Sequence, residues 1–316
     1  MCVAGPGRVV LSYVGAMWFL LPLAIGAEAP PDSDIFVADL DLVAAKVGVP
    51  ANITDRPGYD NQPAFLPDGS GLLYVADVDG PTDVFRYTFP TGARTRVTKT
   101  PEAEFSPTPL PGGGFSAVRV SAPEAEVEAY TESQMLWRYD DAGNAVSSIL
   151  PGILRVGYHA WVDAGHVALV LVGPGGEPPH ALVLAEVGTA TLTPLAPNVG
   201  RSLGSTPDGQ VLYVDKHLPD AWFVATARRG FRSTVRTAVP PNAPGEGDDA
   251  RSEDVRLLPD GSLLMAHGSR LLRARPGGAW ETLADLPGLG GAIKRLAVSP
   301  DGKRLAMVVQ RATPPK

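Results

Sequence analysis

A hairpin pattern recurs six times along the chain and limits its fold more than any other feature. Each copy has a strand-like segment, a tight turn based on Pro-Asp-Gly or a similar sequence, and an apolar return strand. Proline sets φ early in such a turn, and glycine accepts the positive φ that a later position needs. The copies are NQPAFLPDGSGLLYV (61–75), FSPTPLPGGGFSAVRV (105–120), YHAWVDAGHVALVLV (158–172), RSLGSTPDGQVLYV (201–214), EDVRLLPDGSLLMA (253–266) and KRLAVSPDGKRLAMVV (294–309).

The spacing of the copies is that of four-stranded propeller blades. Aligned on their turns, consecutive copies lie 44, 52, 44, 52 and 41 residues apart, and repeats of this length are typical of blades. A second pair of strand-like segments follows each of the first five hairpins, as DVFRYTF (83–89) and ARTRVT (93–98) do after the first. No segment has helical periodicity. The sequence therefore predicts an all-β fold, a six-bladed β-propeller.

The sixth hairpin has no second pair of strands, and a two-stranded hairpin alone is marginally stable in water. We expect the missing strands near the other end of the chain, because SDIFVADLDL (33–42) resembles TDVFRYTF and VPANIT (49–54) resembles the strand end TRVT. These N-terminal strands would complete the C-terminal blade and close the ring, which removes open sheet edges. The prediction is one propeller domain over residues 31–316. Two β-sandwiches are the alternative, and six register-matched hairpins argue against them.

The repeats resemble those of a known family. FLPDGSGLLYVADVDGPTDVFRY, STPDGQVLYV and VSPDGKRLAMVV are similar to the SPDG repeats of the TolB-like propellers, and the resemblance covers nearly the whole mature chain. It implies a six-bladed propeller but no particular activity, since the motif is a turn signature and a fold does not fix a function. The chain leaves no room for TolB's N-terminal domain or for a hydrolase domain, so it resembles stand-alone exported members.

The first 26 residues predict an export signal peptide. Arg8 precedes the apolar run 9–26, and small residues then offer a cleavage region after Gly26 or Ala27. An uncleaved anchor is the alternative, because the run reaches the ~18 residues of a membrane-span candidate. Pro22 and the small residues behind it favour cleavage, which would leave no membrane span in the mature protein. We expect a periplasmic or secreted bacterial protein.

Cysteine content and charge exclude several classes of function. The single cysteine, Cys2, lies in the predicted signal, so the mature protein would have neither disulfides nor thiolate chemistry. The net charge is −7, and loss of Arg8 makes it one unit more negative. No basic cluster offsets this charge. Nucleic acid is therefore not an expected partner.

Aligning the hairpins places two residues of every blade at the start of its innermost strand. In a propeller this strand lines the central channel, so the aligned positions should surround the channel mouth. One column consists of Gln62, Ser106, Tyr158, Ser202, Asp254 and Arg295, five residues before the turn. The neighbouring column consists of Asn61, Phe105, Gly157, Arg201, Glu253 and Lys294. Most of these residues are polar, whereas the positions that follow are apolar, and this contrast favours a binding site.

The predicted ligand-binding residues at the channel mouth are Asn61, Gln62, Tyr158, His159, Arg201, Ser202, Glu253, Asp254 and Arg295. Such a ring suits a peptide, a carboxylate or a cation. Two simpler interpretations stay open: strand starts bind ordered water, and the arginines pair with the acids across the mouth. His159 is either a metal ligand or general base, or a histidine whose hydrogen bonds hold a loop.

Two hypotheses of function follow. The sequence has no GxSxG, HExxH or phosphate-loop motif, which favours a monomeric periplasmic module that binds or scaffolds a protein or peptide partner in the cell envelope. The alternative is a metal-dependent hydrolase or lyase that uses channel carboxylates and His159. No cofactor is expected under the first hypothesis, whereas the second requires a divalent cation in the channel. We expect a binding protein rather than an enzyme.

Overall fold

Six antiparallel sheets surround a channel in the computed structural model of the chain, which describes residues 32–123, 126–218, 220–231, 234–242 and 251–311. The predicted signal peptide lies outside these residues. The described part begins with β1 (Ser33–Asp41), β2 (Lys46–Val47) and β3 (Ala51–Asn52). Blade 1 follows with β4 (Asp60–Phe65), β5 (Gly71–Ala76), β6 (Asp83–Thr88) and β7 (Ala93–Arg96). Blade 2 contains β8 (Ala103–Pro109), β9 (Phe115–Val120), β10 (Met135–Tyr139) and β11 (Ala145–Ser148).

The remaining blades repeat this meander. Blade 3 contains β12 (Val156–Asp163), β13 (His166–Leu171), β14 (Ala181–Glu186) and β15 (Thr191–Ala196). Blade 4 contains β16 (Val199–Ser205), β17 (Val211–Leu218), β18 (Ala221–Ala227) and β19 (Thr234–Ala238). Blade 5 contains β20 (Arg251–Leu257), β21 (Leu263–His267), β22 (Arg270–Ala274) and β23 (Trp280–Asp285). Blade 6 takes β24 (Gly291–Val298) and β25 (Arg304–Arg311) as its two inner strands.

Short helices occur only in loops of the described chain. The helix α1 (Val127–Glu132) lies between β9 and β10, and single 3-10 turns cover Pro174–Gly176 and Pro287–Leu289. A six-residue helix is too short to produce a periodic sequence signal, and the sequence did not predict α1. The predicted all-β, six-bladed fold is confirmed.

Blade 6 joins the two ends of the described chain, as the sequence predicted. The strand β1 pairs with β25 from Ser33 opposite Gln310 to Asp39 opposite Arg304. On its other edge β1 pairs with β2 and then with β3, so the outermost strand is split into two short pieces. Pro50 lies between these pieces, and a proline lacks the N–H that continuous pairing needs.

An ion pair reinforces this closure. The Nε of Arg311, the last residue of β25, lies 2.7 Å from Oδ2 of Asp34 in β1. The Arg311 backbone N–H also donates to the carbonyl oxygen of Asp32 at 3.0 Å. Asp34 is 3 % exposed. The Arg311 guanidinium therefore compensates a buried charge within the sheet that the two chain ends form.

The apolar core lies between the blades. In β5, Leu72 and Tyr74 pack against blade 6, whereas Leu73 and Val75 pack against blade 2. The second strands are thus buried on both faces, which explains their continuous apolar sequences. Among the described residues, six such clusters lie between neighbouring blades, one at each of the six interfaces, which we call seams.

The seam between blades 1 and 2 also buries a carboxyl group, Glu104. Its Oε1 accepts hydrogen bonds from the hydroxyls of Thr100 at 2.5 Å and Tyr139 at 3.2 Å. The hydroxyl of Thr98 lies 3.1 Å both from Oε2 of Glu104 and from Oδ1 of the neighbouring Asp83. Burial, and then the charge of Asp83, raises the pKa of Glu104 to about 7, although the hydroxyl hydrogen bonds act in the opposite direction.

Breaking the β1–β25 pairing should destabilise the whole ring. The Leu40 N–H donates to Lys303 O, so by strand alternation the Ala38 N–H also faces β25. We expect Ala38→Pro to lower the free energy of unfolding by about 3 kcal/mol or more, and deletion of residues 33–54 to lower it further. The measurement is urea unfolding of the whole domain. Ala145→Pro, in the exposed outermost strand β11, is the control and should cost much less; equal losses would contradict the closure.

Glu104 should make stability depend on pH. Its folded pKa of about 7 exceeds the ordinary value of 4.5, so its contribution is complete below pH 4.5 and is lost as the pH rises through 7. Relative to Glu104→Gln, the wild type should lose on the order of 2 kcal/mol of unfolding free energy between pH 5 and pH 8. Urea unfolding at both pH values measures this.

The control is Glu102→Gln, because the Glu102 carboxylate forms an ion pair with Arg119 near the surface of the same seam. This variant should keep the wild-type difference between the two pH values. A wild type and a Glu104→Gln variant with parallel pH profiles would show that Glu104 is not the group responsible.

Candidate functional site

Every blade has an irregularity where the innermost strand passes the aligned columns. The pairing with the second strand shifts at Asn61/Ala64, Phe105/Thr108, Val156/Tyr158, Val199/Leu203, Arg251/Val255 and Ile293/Arg295. Such bulges redirect side chains out of the regular alternation. In blades 1 and 2 a proline follows the column residue, and Gln62 and Ser106 adopt positive φ angles of 56° and 53°. With the exception of Glu253, the column residues therefore reach the channel.

The channel contains two chambers of similar size. The first, which we call the entry chamber, has a volume of about 320 Å³ and lies at the beginnings of the innermost strands, near Tyr59, Asn61 and Gly157. The second, the distal chamber, has a volume of about 340 Å³ and lies towards the strand ends, near Trp161 and Val298. Four residues line both chambers and form the boundary between them: Gln62, Tyr158, Arg201 and Arg295.

Tyr158 and Arg295 meet at this boundary. The Arg295 guanidinium donates to the Tyr158 hydroxyl at 3.3 Å, and its carbon lies 5.2 Å from the centre of the tyrosine ring. Burial alone raises the pKa of Tyr158, but the positive charges of Arg295 and Arg201 outweigh it and bring the pKa below its ordinary value. Two cationic side chains thus act on the same part of the channel.

Arg201 has the most accessible charged group in the channel. Its backbone N–H donates to Oε2 of Glu253 at 3.0 Å, but among the described residues its guanidinium has neither a hydrogen bond nor an ion pair. The residue is exposed and lines both chambers. Its guanidinium donors are therefore available to a ligand.

Glu253 lies outside the two chambers and holds the Arg201 backbone in place. It lines neither chamber, and its Oε1 accepts from Nζ of Lys216 at 2.8 Å. The contact of Arg201 with Glu253 expected from the sequence runs through the Arg201 backbone. The guanidinium charge acts on Glu253 only at longer range, without a direct ion pair. The attraction of Lys216 and the hydrogen bonds overcome the effect of burial and lower the pKa of Glu253.

In the column five residues before the turn, three residues join one blade to the next. Each offers a side-chain oxygen to a backbone N–H in the innermost strand of the next blade. The bonds run from Ser106 N to Gln62 Oε1 (2.5 Å), from Val255 N to Ser202 Oγ (3.1 Å) and from Leu296 N to Asp254 Oδ2 (2.6 Å). Asp254 also forms an ion pair with Arg256 at 2.8 Å. These residues line the chambers, but their side-chain oxygens already accept hydrogen bonds that hold neighbouring blades together.

His159 lies in the wall of the distal chamber and links blades 2 and 3. Its Nε2 is 2.8 Å from the Ser116 hydroxyl, which also accepts a hydrogen bond from Trp161 Nε1 at 3.0 Å. His159 is 8 % exposed, and burial lowers its pKa to about 4. The imidazole is therefore neutral near pH 7.

Aligning the six hairpins did not identify several residues that line the entry chamber. Tyr59 precedes the hairpin, Gln134 follows α1, and Gln310 lies near the end of the second strand β25. The alignment of innermost strands could not include them, because other parts of the blades bring them to the channel. For Gln310 the available signal was a polar residue directly after the apolar run 305–309.

The described part of the chain contains no cluster of three or more His, Cys, Asp or Glu side chains arranged to hold a metal ion. Within the same residues, no helix is sufficiently long and apolar to span a membrane.

Comparison with known proteins gives matches in structure only. No family model and no curated protein sequence matches the chain. A protein described as TolB from Agrobacterium tumefaciens has a TM-score of 0.63 at 15 % identity, covering 90 % of this chain and all of that one. A gluconolactonase from Xanthomonas campestris has a TM-score of 0.61 at 12 % identity, with 90 % and 98 % covered.

A third similar structure is an oligogalacturonate lyase in complex with manganese, with a TM-score of 0.55 at 15 % identity and coverage of 84 % and 80 %. At these identities the similarity concerns the fold, and the same fold carries different functions in these proteins. The resemblance read from the SPDG repeats is thereby confirmed at the level of structure: this chain has the fold of the TolB-like six-bladed propellers.

Proposed function

We propose that the chain is an exported, periplasmic binding module that takes a peptide or an extended protein segment at the mouth of its channel. The observation that carries this proposal is the entry chamber. Its volume of about 320 Å³ is at the lower end of the range for ligand pockets. A chamber of this size suits the end of a peptide or a few side chains.

The lining supports the same ligand class. Asn61, Gln134 and Gln310 contribute side-chain amides, which both donate and accept hydrogen bonds and so complement peptide groups. Tyr59 supplies an aromatic surface, and Arg201 adds a guanidinium that has no hydrogen bond or direct ion pair among the described residues. Aromatic and arginine side chains are enriched in surfaces that bind other proteins.

The predicted signal peptide supports the proposed location. On this account, expression in a bacterial host should release a protein that begins at Ala27 or Glu28, because cleavage follows Gly26 or Ala27. Cell fractionation and mass spectrometry of the N-terminus measure this. Leu20→Arg, which interrupts the apolar run, should leave the protein uncleaved. An intact N-terminus on the wild-type protein in the membrane fraction would contradict the proposal.

Blocking the entry chamber should abolish peptide binding. The chain has one cysteine, Cys2, so a Cys2→Ser background allows a single thiol to be placed by Gln310→Cys in the chamber wall. Peptides selected on the wild-type protein from a random library, and measured by fluorescence anisotropy, should still bind the unlabelled variant, with a loss of only a few-fold for the missing Gln310 amide. Labelling with a bulky maleimide should then reduce their affinity more than tenfold by filling the chamber.

The matched control is Val146→Cys, because Val146 is 59 % exposed on the outermost strand β11. Its labelling should leave the affinity unchanged. The proposal would fail if the library yielded no peptide that binds more tightly than about 1 mM, or if the labelled Gln310→Cys variant kept its affinity.

A further inference from the structure

The charged side chains that line the entry chamber are all cationic. Its charged lining residues are Arg201, Lys294 and Arg295, and no carboxylate belongs to the lining that the structure describes. The acids of the same columns lie outside this lining. Glu253 binds Lys216 and the Arg201 backbone, and Asp254 binds Arg256 and the Leu296 N–H, while their charges also act on Arg201 and Arg295. Cationic groups around a cavity attract an anion and disfavour a cation.

The two arginines offer donors to one region. Arg201 and Arg295 both line the entry chamber, and the charges of both act on Tyr158. A guanidinium has five N–H donors. The hydrogen bond to the Tyr158 hydroxyl uses one donor of Arg295, whereas the guanidinium of Arg201 uses none on the described residues.

We propose that the entry chamber recognises a carboxylate group of the bound peptide, held between Arg201 and Arg295. This inference rests on the proposed peptide-binding function and identifies the group that anchors the ligand. A carboxylate is planar and accepts two parallel N–H bonds from one guanidinium. The amide side chains of Asn61 and Gln310 in the same chamber then contact the adjoining peptide groups.

The carboxylate has two sources in a peptide: the C-terminus and an Asp or Glu side chain. Three short probes separate them: acetyl-Gly-Gly-Gly with a free carboxylate, the same tripeptide with a C-terminal amide, and acetyl-Gly-Glu-Gly with a C-terminal amide. We expect at least one acidic probe to bind tenfold or more tightly than the neutral probe, as measured by calorimetry. The tighter of the two acidic probes identifies the source.

The arginines should account for this preference. Arg201→Gln should reduce the affinity for the preferred acidic probe to that for the neutral probe. Arg201→Lys should keep part of the difference between the two affinities, because lysine retains the charge but cannot form a bidentate contact. Arg295→Gln should act similarly, with unfolding curves to show that loss of the Tyr158 contact leaves the ring folded. Arg138→Gln, which removes an exposed arginine of β10 outside both chambers, should change nothing.

The carboxylate proposal and the peptide-binding proposal can fail separately. If library peptides bind and are blocked by labelling at Gln310→Cys, but amidation of their C-termini and Glu→Gln or Asp→Asn changes leave affinity unaltered, the carboxylate proposal is overturned alone. If free acetate binds through Arg201 as tightly as the acidic probes and no library peptide binds, peptide recognition is overturned and carboxylate binding alone stands. Equal affinity of the acidic and neutral probes, or no binding of any, contradicts the carboxylate proposal directly.

Discussion

The antiparallel pairing of β1 with β25 is the constraint on which the rest of the structure depends. It joins residues more than 260 positions apart in sequence, from Asp39 with Arg304 to Ser33 with Gln310. Without it, the seam between blades 6 and 1 would lose Ile35 from its apolar cluster, and the two inner strands of blade 6 would present an open edge. Closure therefore fixes the positions of all six innermost strands relative to one another.

The channel is a direct consequence of that geometry. Side chains from different blades meet at its axis, and the bulges in the innermost strands direct them there instead of into the seams. Some of these side chains stabilise the ring, as Gln62, Ser202 and Asp254 do by accepting backbone hydrogen bonds from the next blade. Arg201 forms no such bond with its guanidinium among the described residues, and this difference separates the candidate ligand-binding group from the structural ones.

Much of this architecture could be predicted from the sequence because its signals are local. Turn chemistry, alternation and a regular repeat define the blades, and the same repeat shows where the missing strands of blade 6 must lie. The columns could be aligned because each lies at a fixed distance from its turn. What the sequence could not give is which member of a column would face a ligand, since Glu253 faces Lys216 and the Arg201 backbone instead.

The features that could not be predicted from the sequence depend on contacts between segments that are distant along the chain. The raised pKa of Glu104 requires burial against blade 1 and proximity to Asp83, and the neutral state of His159 requires burial beside Ser116 in another blade. The contributions of Tyr59 and Gln310 to the entry chamber follow from ring closure and strand length. Local propensity carries none of this information.

The central claim is that the entry chamber holds a carboxylate of an extended peptide between two arginines. A crystal structure of the chain with a peptide selected on it tests this most directly. The account predicts a peptide carboxylate within about 3 Å of the guanidinium nitrogens of Arg201 or Arg295. A peptide bound instead in the groove between blades 2 and 3, beside Trp161 and Val187, with the entry chamber holding only water, would contradict it.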